Sequence, residues 1–225
     1  MNRALSAEYL THVTKFERFL IVQKGKLILA SFVAAFAISF AIMPSGGGSG
    51  KQSPHNARMQ TTRQIGQMLF SYAQDHNGKY PIGKSSTDIF QQLLDQQYAN
   101  DGEFFYFDMP GKTKATTNKL KPENVCFDIT NGVLADDSDS LPVVFSTGFK
   151  IDYVPGGKAH LLANGDSYGI AVFFKGNNAA FLRSEPDGIP LFPPKFNSGY
   201  NPPLPNGFDT KGRTYQQLTP DGPLP

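Results

Sequence analysis

Only one cysteine, Cys126, occurs in the 225 residues, so no intramolecular disulfide can staple this chain. It sits in Asn124-Val-Cys-Phe-Asp128, a strand-like run, where a buried small hydrophobe is the plain reading. Histidine is equally sparse: His12, His55, His76 and His160 lie far apart and show no metal-ligand spacing. Excess charge is also missing. A formal net charge of +2, with no dense Lys/Arg block in the C-terminal part, leaves nothing to mark a nucleic-acid binder. No Ser/His/Asp or Cys/His arrangement can be assembled from the sequence, so it gives no support to an enzyme and the expectation is a non-catalytic chain without a cofactor. With 40% hydrophobic and 12% aromatic residues, wholesale disorder is excluded and a modest core is expected.

What is present divides the chain into five stretches. Residues 1–26 form a basic segment with Arg3, Lys15, Arg18, Lys24 and Lys26 against Glu8 and Glu17. Residues 27–43, LILASFVAAFAISFAIM, carry no charge. As a helix that run is about 25 Å long, close to the hydrocarbon thickness of a bilayer, and is read as a transmembrane helix. The basic flank predicts a single pass through the inner (cytoplasmic) membrane with the N-terminus in the cytoplasm and the rest in the periplasm or otherwise outside. A cleaved secretory signal is the rival reading, against which stand the long basic leader and the lack of an A-x-A site after Met43. Residues 44–52, opening with Pro44-Ser-Gly-Gly-Gly-Ser-Gly50, read as a flexible linker.

The extracytoplasmic domain is expected over residues 53–182. Its organising element runs from Ser53, an N-cap candidate followed by Pro54, to the Asn77-Gly78 stop and Tyr80-Pro81. Ile65, Met68, Leu69, Tyr72 and Ala73 recur on one apolar face of this helix, with Arg58, Gln60, Arg63, Gln67 and Gln74 elsewhere. Ser85-Ser-Thr-Asp88 can cap a second, short helix carrying Ile89, Phe90, Leu93 and Leu94. Five strand-like runs follow at Val125–Ile129, Val143–Ser146, Phe149–Val154, Tyr168–Phe174 and Ala179–Leu182, separated by Gly- and Asn-rich turns. The runs are too closely spaced for crossover helices. An α+β domain is therefore expected, with the helix packed on a small antiparallel sheet. Residues 183–225 hold ten prolines and five glycines and are read as an extended or disordered Pro-rich tail.

Two short patterns invite chemistry. Gly78-Lys-Tyr-Pro-Ile-Gly-Lys-Ser85 matches the phosphate-loop pattern letter for letter. It follows a helix rather than a strand, and Pro81 has no N–H to offer, so no nucleotide is expected. Ala135-Asp-Asp-Ser-Asp-Ser140 gathers hard oxygens of the kind calcium favours, which makes Asp136, Asp137 and Asp139 candidate calcium ligands, with a plain solvated loop as the alternative.

The stretch Arg63-Gln-Ile-Gly-Gln-Met-Leu-Phe-Ser-Tyr-Ala-Gln-Asp-His-Asn-Gly-Lys-Tyr-Pro81 and, less specifically, Leu141-Pro-Val-Val-Phe-Ser-Thr-Gly148 resemble the pseudopilins of type II secretion systems, relatives of type IV pilins. The resemblance covers about residues 57–182 and is nearest to the major-pseudopilin-like members. It implies a pilin-like fold and a structural or accessory role in protein secretion, with other pseudopilins or secretion-system subunits and the membrane lipid bilayer as partners. The family's processing site, a Gly before Phe or Met with Glu at the fifth mature position, has no counterpart: Gly25 precedes Lys26, and the fifth position after it is Ala30. A minor or peripheral subunit that builds no filament alone is the resulting expectation. An anchored extracytoplasmic binding or adaptor module is the alternative.

Overall fold

The computed structural model describes residues 53–163, 165–191 and 210–224. The chain divides into two compact units, Met1–Lys51 and Gln52–Pro225, and every described residue belongs to the second. No helix among the described residues is long and apolar enough to cross a membrane; the expected span, residues 27–43, lies outside them.

Helix α1, Pro54–Asp75, begins as the sequence requires, with the Ser53 hydroxyl accepting the Asn56 N–H at 3.3 Å and Pro54 in the first turn. It ends where Asn77 (φ 55°) and Gly78 (φ 79°) turn left-handed, the Gly78 N–H reaching the Ala73 carbonyl at 2.7 Å. Helix α2, Ser86–Asp95, is capped by Ser85, which accepts from the Asp88 N–H at 3.1 Å. Two 3-10 turns, Gly102–Phe105 and Pro122–Asn124, carry the chain under the helices, and Phe105 stacks on Phe90 with ring centroids 4.5 Å apart.

Among the described residues nine strands follow: β1 (Phe127–Asn131), β2 (Pro142–Ser146), β3 (Phe149–Ile151), β4 (Lys158–Leu161), β5 (Gly169–Phe174), β6 (Asn178–Arg183), β7 (Ile189–Pro190), β8 (Gln216–Thr219) and β9 (Gly222–Pro223). They form a six-stranded sheet in the order β6-β5-β2-β1-β8-β9 and a three-stranded sheet in the order β3-β4-β7, with every pair antiparallel. The domain is thus α+β, two helices with antiparallel sheet, as the spacing of the strand-like runs implies.

The register sorts the two faces of the large sheet. Phe173, Val144, Ile129 and Leu218 pair in one row across β5, β2, β1 and β8, and cross-strand partners share a face. Phe173 lies against Gly66 of α1, so this row faces the helices. The opposite face carries Val172, Phe145 and Asp128 in one row and the Thr130–Gln217 pair. There Gln217 reaches β3, donating to the Phe149 carbonyl at 2.6 Å and accepting from the Ile151 N–H at 3.0 Å. β2 and β5 are buried at every position, and α1 packs against both.

Two expectations are corrected. Phe149–Val154 is strand only to Ile151, because Asp152 turns the chain back: its carbonyl sits where a side chain on Gly157 would begin, and Val154 is left 55% exposed. The reading of residues 183–225 as an extended or disordered tail fails for residues 210–224. β8 enters the large sheet beside β1 with Leu218 1% exposed, so the domain does not close at Leu182. The tail aromatics Phe192, Phe196, Tyr200 and Phe208 lie outside the described residues.

Candidate binding cleft

The first turn of α1 places His55 and Arg58 three residues apart, hence on one side of the helix. Opposite them, Asp166 closes a tight turn by accepting the Tyr168 N–H at 2.9 Å on one carboxylate oxygen and the Arg58 guanidinium on the other. Gly165 is required here, since a Cβ would stand 2.2 Å from the Gly148 carbonyl oxygen. The third wall is the segment that leaves the 3-10 turn, residues 107–110. Phe107 offers its ring to the Arg58 guanidinium, 4.2 Å from the centroid.

Between these walls opens a cleft of about 690 Å³. Pro54, Phe107, Met109 and Pro110 make it apolar on one side, and Tyr168, 70% exposed, stands on its rim. The Arg58–Asp166 pair lies deep in it, with side chains only 11% and 19% exposed. Burial disfavours ionised Asp166, but the Tyr168 N–H and the Arg58 guanidinium outweigh that and hold the carboxyl below its usual range. His55 sits beside Tyr168 and Phe181, at centroid distances of 5.4 and 4.6 Å. His55 Nδ1 and Arg58 Nε are buried with no hydrogen-bond partner among the described residues. A concave, aromatic-walled site holding a fixed ion pair is equipped to bind and orient a ligand.

The acidic loop behaves differently from a cation site. Arg213 donates to Asp136 Oδ1 and Oδ2 at 3.0 and 2.6 Å and to Asp137 Oδ1 at 2.5 Å, while Tyr215 donates to Asp137 Oδ1 at 2.8 Å and the Leu134 N–H to Asp137 Oδ2 at 2.7 Å. Asp139 points instead to Lys175, 3.3 Å away. Hydrogen bonds from Arg213 hold the Asp136 carboxyl below its usual range. The three candidate calcium ligands are therefore not brought together around one point, and among the described residues no group of three or more His, Cys, Asp or Glu side chains could hold a metal ion. The sequence shows the carboxylates but not the cation 76 residues on that neutralises two of them.

The phosphate-loop pattern lies between α1 and α2. Its Lys84 N–H is used by Asp88 Oδ2 at 3.1 Å, its Ser85 caps α2, and Pro81 is buried. Cys126 is fully buried, its thiol pushed up by burial while Sγ contacts the Phe107 carbonyl at 3.3 Å. His160 Nε2 meets Asp152 Oδ2 at 2.8 Å across the β3–β4 hairpin, where both side chains are nearly half exposed. None of the cleft residues stands out in the sequence. Arg58 reads as a polar-face residue, and its partner Asp166 is 108 positions away in a turn.

No protein-family model, curated protein or solved structure matches the chain.

Proposed function

We propose that this chain is a membrane-anchored, pseudopilin-like structural or accessory protein of a type II secretion or type IV pilus-like system, non-catalytic and held by a single N-terminal span with its domain on the periplasmic side. The observation that carries this reading is the way α1 lies on the sheet. One face, Thr62, Ile65, Gly66, Leu69, Tyr72 and Ala73, is buried against β2, β5 and β6, while Arg63, Gln64, Phe70 and Gln74 remain exposed along the other. A helix so placed, joined in sequence to the expected apolar anchor by a Gly-rich linker, offers a polar flank for side-by-side packing with similar subunits. Without a Glu at the position of Ala30, packing among the spans is guided by small side chains such as Ala34 and Ala35, which select register loosely. A minor or peripheral place in a filament follows.

The cleft favours a second reading, an anchored extracytoplasmic binding or adaptor module. Photo-cross-linking in intact cells separates the two. Probes at Arg63 and Gln74 should capture proteins that share the anchor-then-helix layout. Adducts from probes at Asp108 and Ser167 alone would replace the filament reading with the binding module. Abundant homopolymeric fibres after overexpression of the chain by itself, seen by electron microscopy, would refute the peripheral role.

A further inference from the structure

We infer that Asp128 and Gln217 form a proton-sensitive latch that keeps the C-terminal strand pair β8–β9 on the edge of β1. Asp128, 1% exposed, sits in the layer between the large sheet and β3. Gln217, 4% exposed, is the hub of that layer: its amide donates to Asp128 Oδ2 at 2.7 Å and to the Phe149 carbonyl, and its oxygen accepts from Ile151. One side chain of β8 thereby ties β1 and β3 together. Asp128 Oδ1 has no hydrogen-bond partner among the described residues. A carboxylate with half its acceptor capacity unmet in a dry layer is costly, whereas the neutral acid is tolerated.

The surroundings do not supply a compensating ion pair. Thr130, on the same strand, spends its hydroxyl on the Pro142 carbonyl and the Tyr153 hydroxyl. From the β2–β3 turn comes Thr147, and from β8 comes Gln217; both favour the anion. Lys112 acts in the same direction from a distance while donating to the Pro122 carbonyl, and Asp221 in the β8–β9 turn opposes it. Tyr153 is half-buried, and desolvation raises its phenol above the ordinary value. Burial dominates and pushes the Asp128 carboxyl up to about 7.

The sign follows from linkage. When β8–β9 swings out, Asp128 meets water and returns to an ordinary carboxyl value near 4. The closed state binds the proton more tightly, so closure is fully favoured below about pH 4 and is progressively lost as pH rises through about 7. Other contacts keep the pair from simply falling away: Thr87 donates to the Pro220 carbonyl at 2.8 Å, and Arg213 and Tyr215 hold the segment to the acidic loop. Ionisation therefore shifts an opening equilibrium, and opening bares the hydrogen-bonding edge of β1 for another strand.

Hydrogen exchange by mass spectrometry on the full chain in detergent, corrected for intrinsic rates, tests this. Peptides over residues 216–224 should show the opening constant rising about 50-fold between pH 5 and pH 7 and levelling off above, while β5 peptides stay protected. Asp128→Asn should abolish the rise and keep the segment closed at pH 8. A flat wild-type profile over 216–224 would overturn the latch without recourse to the variant, and so would a parallel rise in β5, which would mean global unfolding.

Discussion

The ring of Phe173 lies directly on Gly66: a Cβ at residue 66 would stand 2.2 Å from the ring carbons Cγ and Cδ1. This contact sets how closely α1 approaches β5, and the ring is fully buried with nowhere to swing. A glycine in mid-helix costs about 1 kcal/mol relative to alanine, so an ordinary exposed Gly→Ala change would stabilise. Here the sign reverses. Gly66→Ala should destabilise by about 1–3 kcal/mol through overpacking, read as a lower urea midpoint with an unchanged slope.

Gly78 and Lys84 occupy the pattern that imitates a phosphate loop, and the fold gives them unequal weight. Gly78 holds φ at 79°, and a Cβ there would lie 2.9 Å from that of Ala135. Gly78→Val should cost about 2 kcal/mol, since a β-branched side chain is strained in the left-handed region. Lys84 is exposed and contributes only its backbone N–H to Asp88, so Lys84→Ala should leave the melting temperature within about 1 °C. Saturable ATP binding that disappears in Lys84→Ala would contradict this reading.

Local patterns carried the sequence reading as far as local physics reaches. The caps at Ser53 and within Ser85-Ser-Thr-Asp88 and the stop at Asn77-Gly78 depend on neighbours in the chain, and all are found in the fold. β8 was hidden because its buried hub is a glutamine: Gln217 reads as a surface residue until its three polar partners, Asp128, Phe149 and Ile151, are in place. Gly66 likewise reads as a weak helix position rather than as the point of closest approach. The cleft was invisible for the same reason. Arg58, Phe107 and Asp166 come from three distant segments, and only the folded sheet sets them side by side.

Arg213 occupies the carboxylates that otherwise suit calcium, so chelation and calcium addition should leave the thermal midpoint of the wild-type chain unchanged. Removing the guanidinium changes that prospect. In Arg213→Ala, Asp136 still has Lys211 beside it, but Asp137, whose side chain is fully buried, loses the guanidinium and keeps only Tyr215 and the Leu134 N–H. This variant should melt lower than wild type and become sensitive to millimolar calcium, which replaces the lost positive charge. A chelator-dependent drop in the wild-type midpoint would instead place a cation in the native loop.

Arg58 and Asp166 form the buried ion pair of the cleft, and the two ways of removing it should differ in cost. Asp166→Asn strands a guanidinium that is only 11% exposed and whose Nε already lacks a partner; the expected loss is about 2–3 kcal/mol. The double variant Arg58→Met with Asp166→Asn leaves no charge behind, and the methionine can keep an apolar contact with the Phe107 ring, so it should be closer to wild type than the single variant. The pH dependence has a defined sign. Because the folded Asp166 carboxyl lies below its usual range, its contribution is present above about pH 4 and is lost as pH falls through the lower folded value. The stability difference between wild type and Asp166→Asn should therefore be largest near neutrality and shrink toward pH 2. Urea titrations of both proteins across that range measure it directly. A difference that stays constant to pH 2 would show that the ion pair contributes nothing as a charge interaction and that the deficit of the variant comes from packing alone.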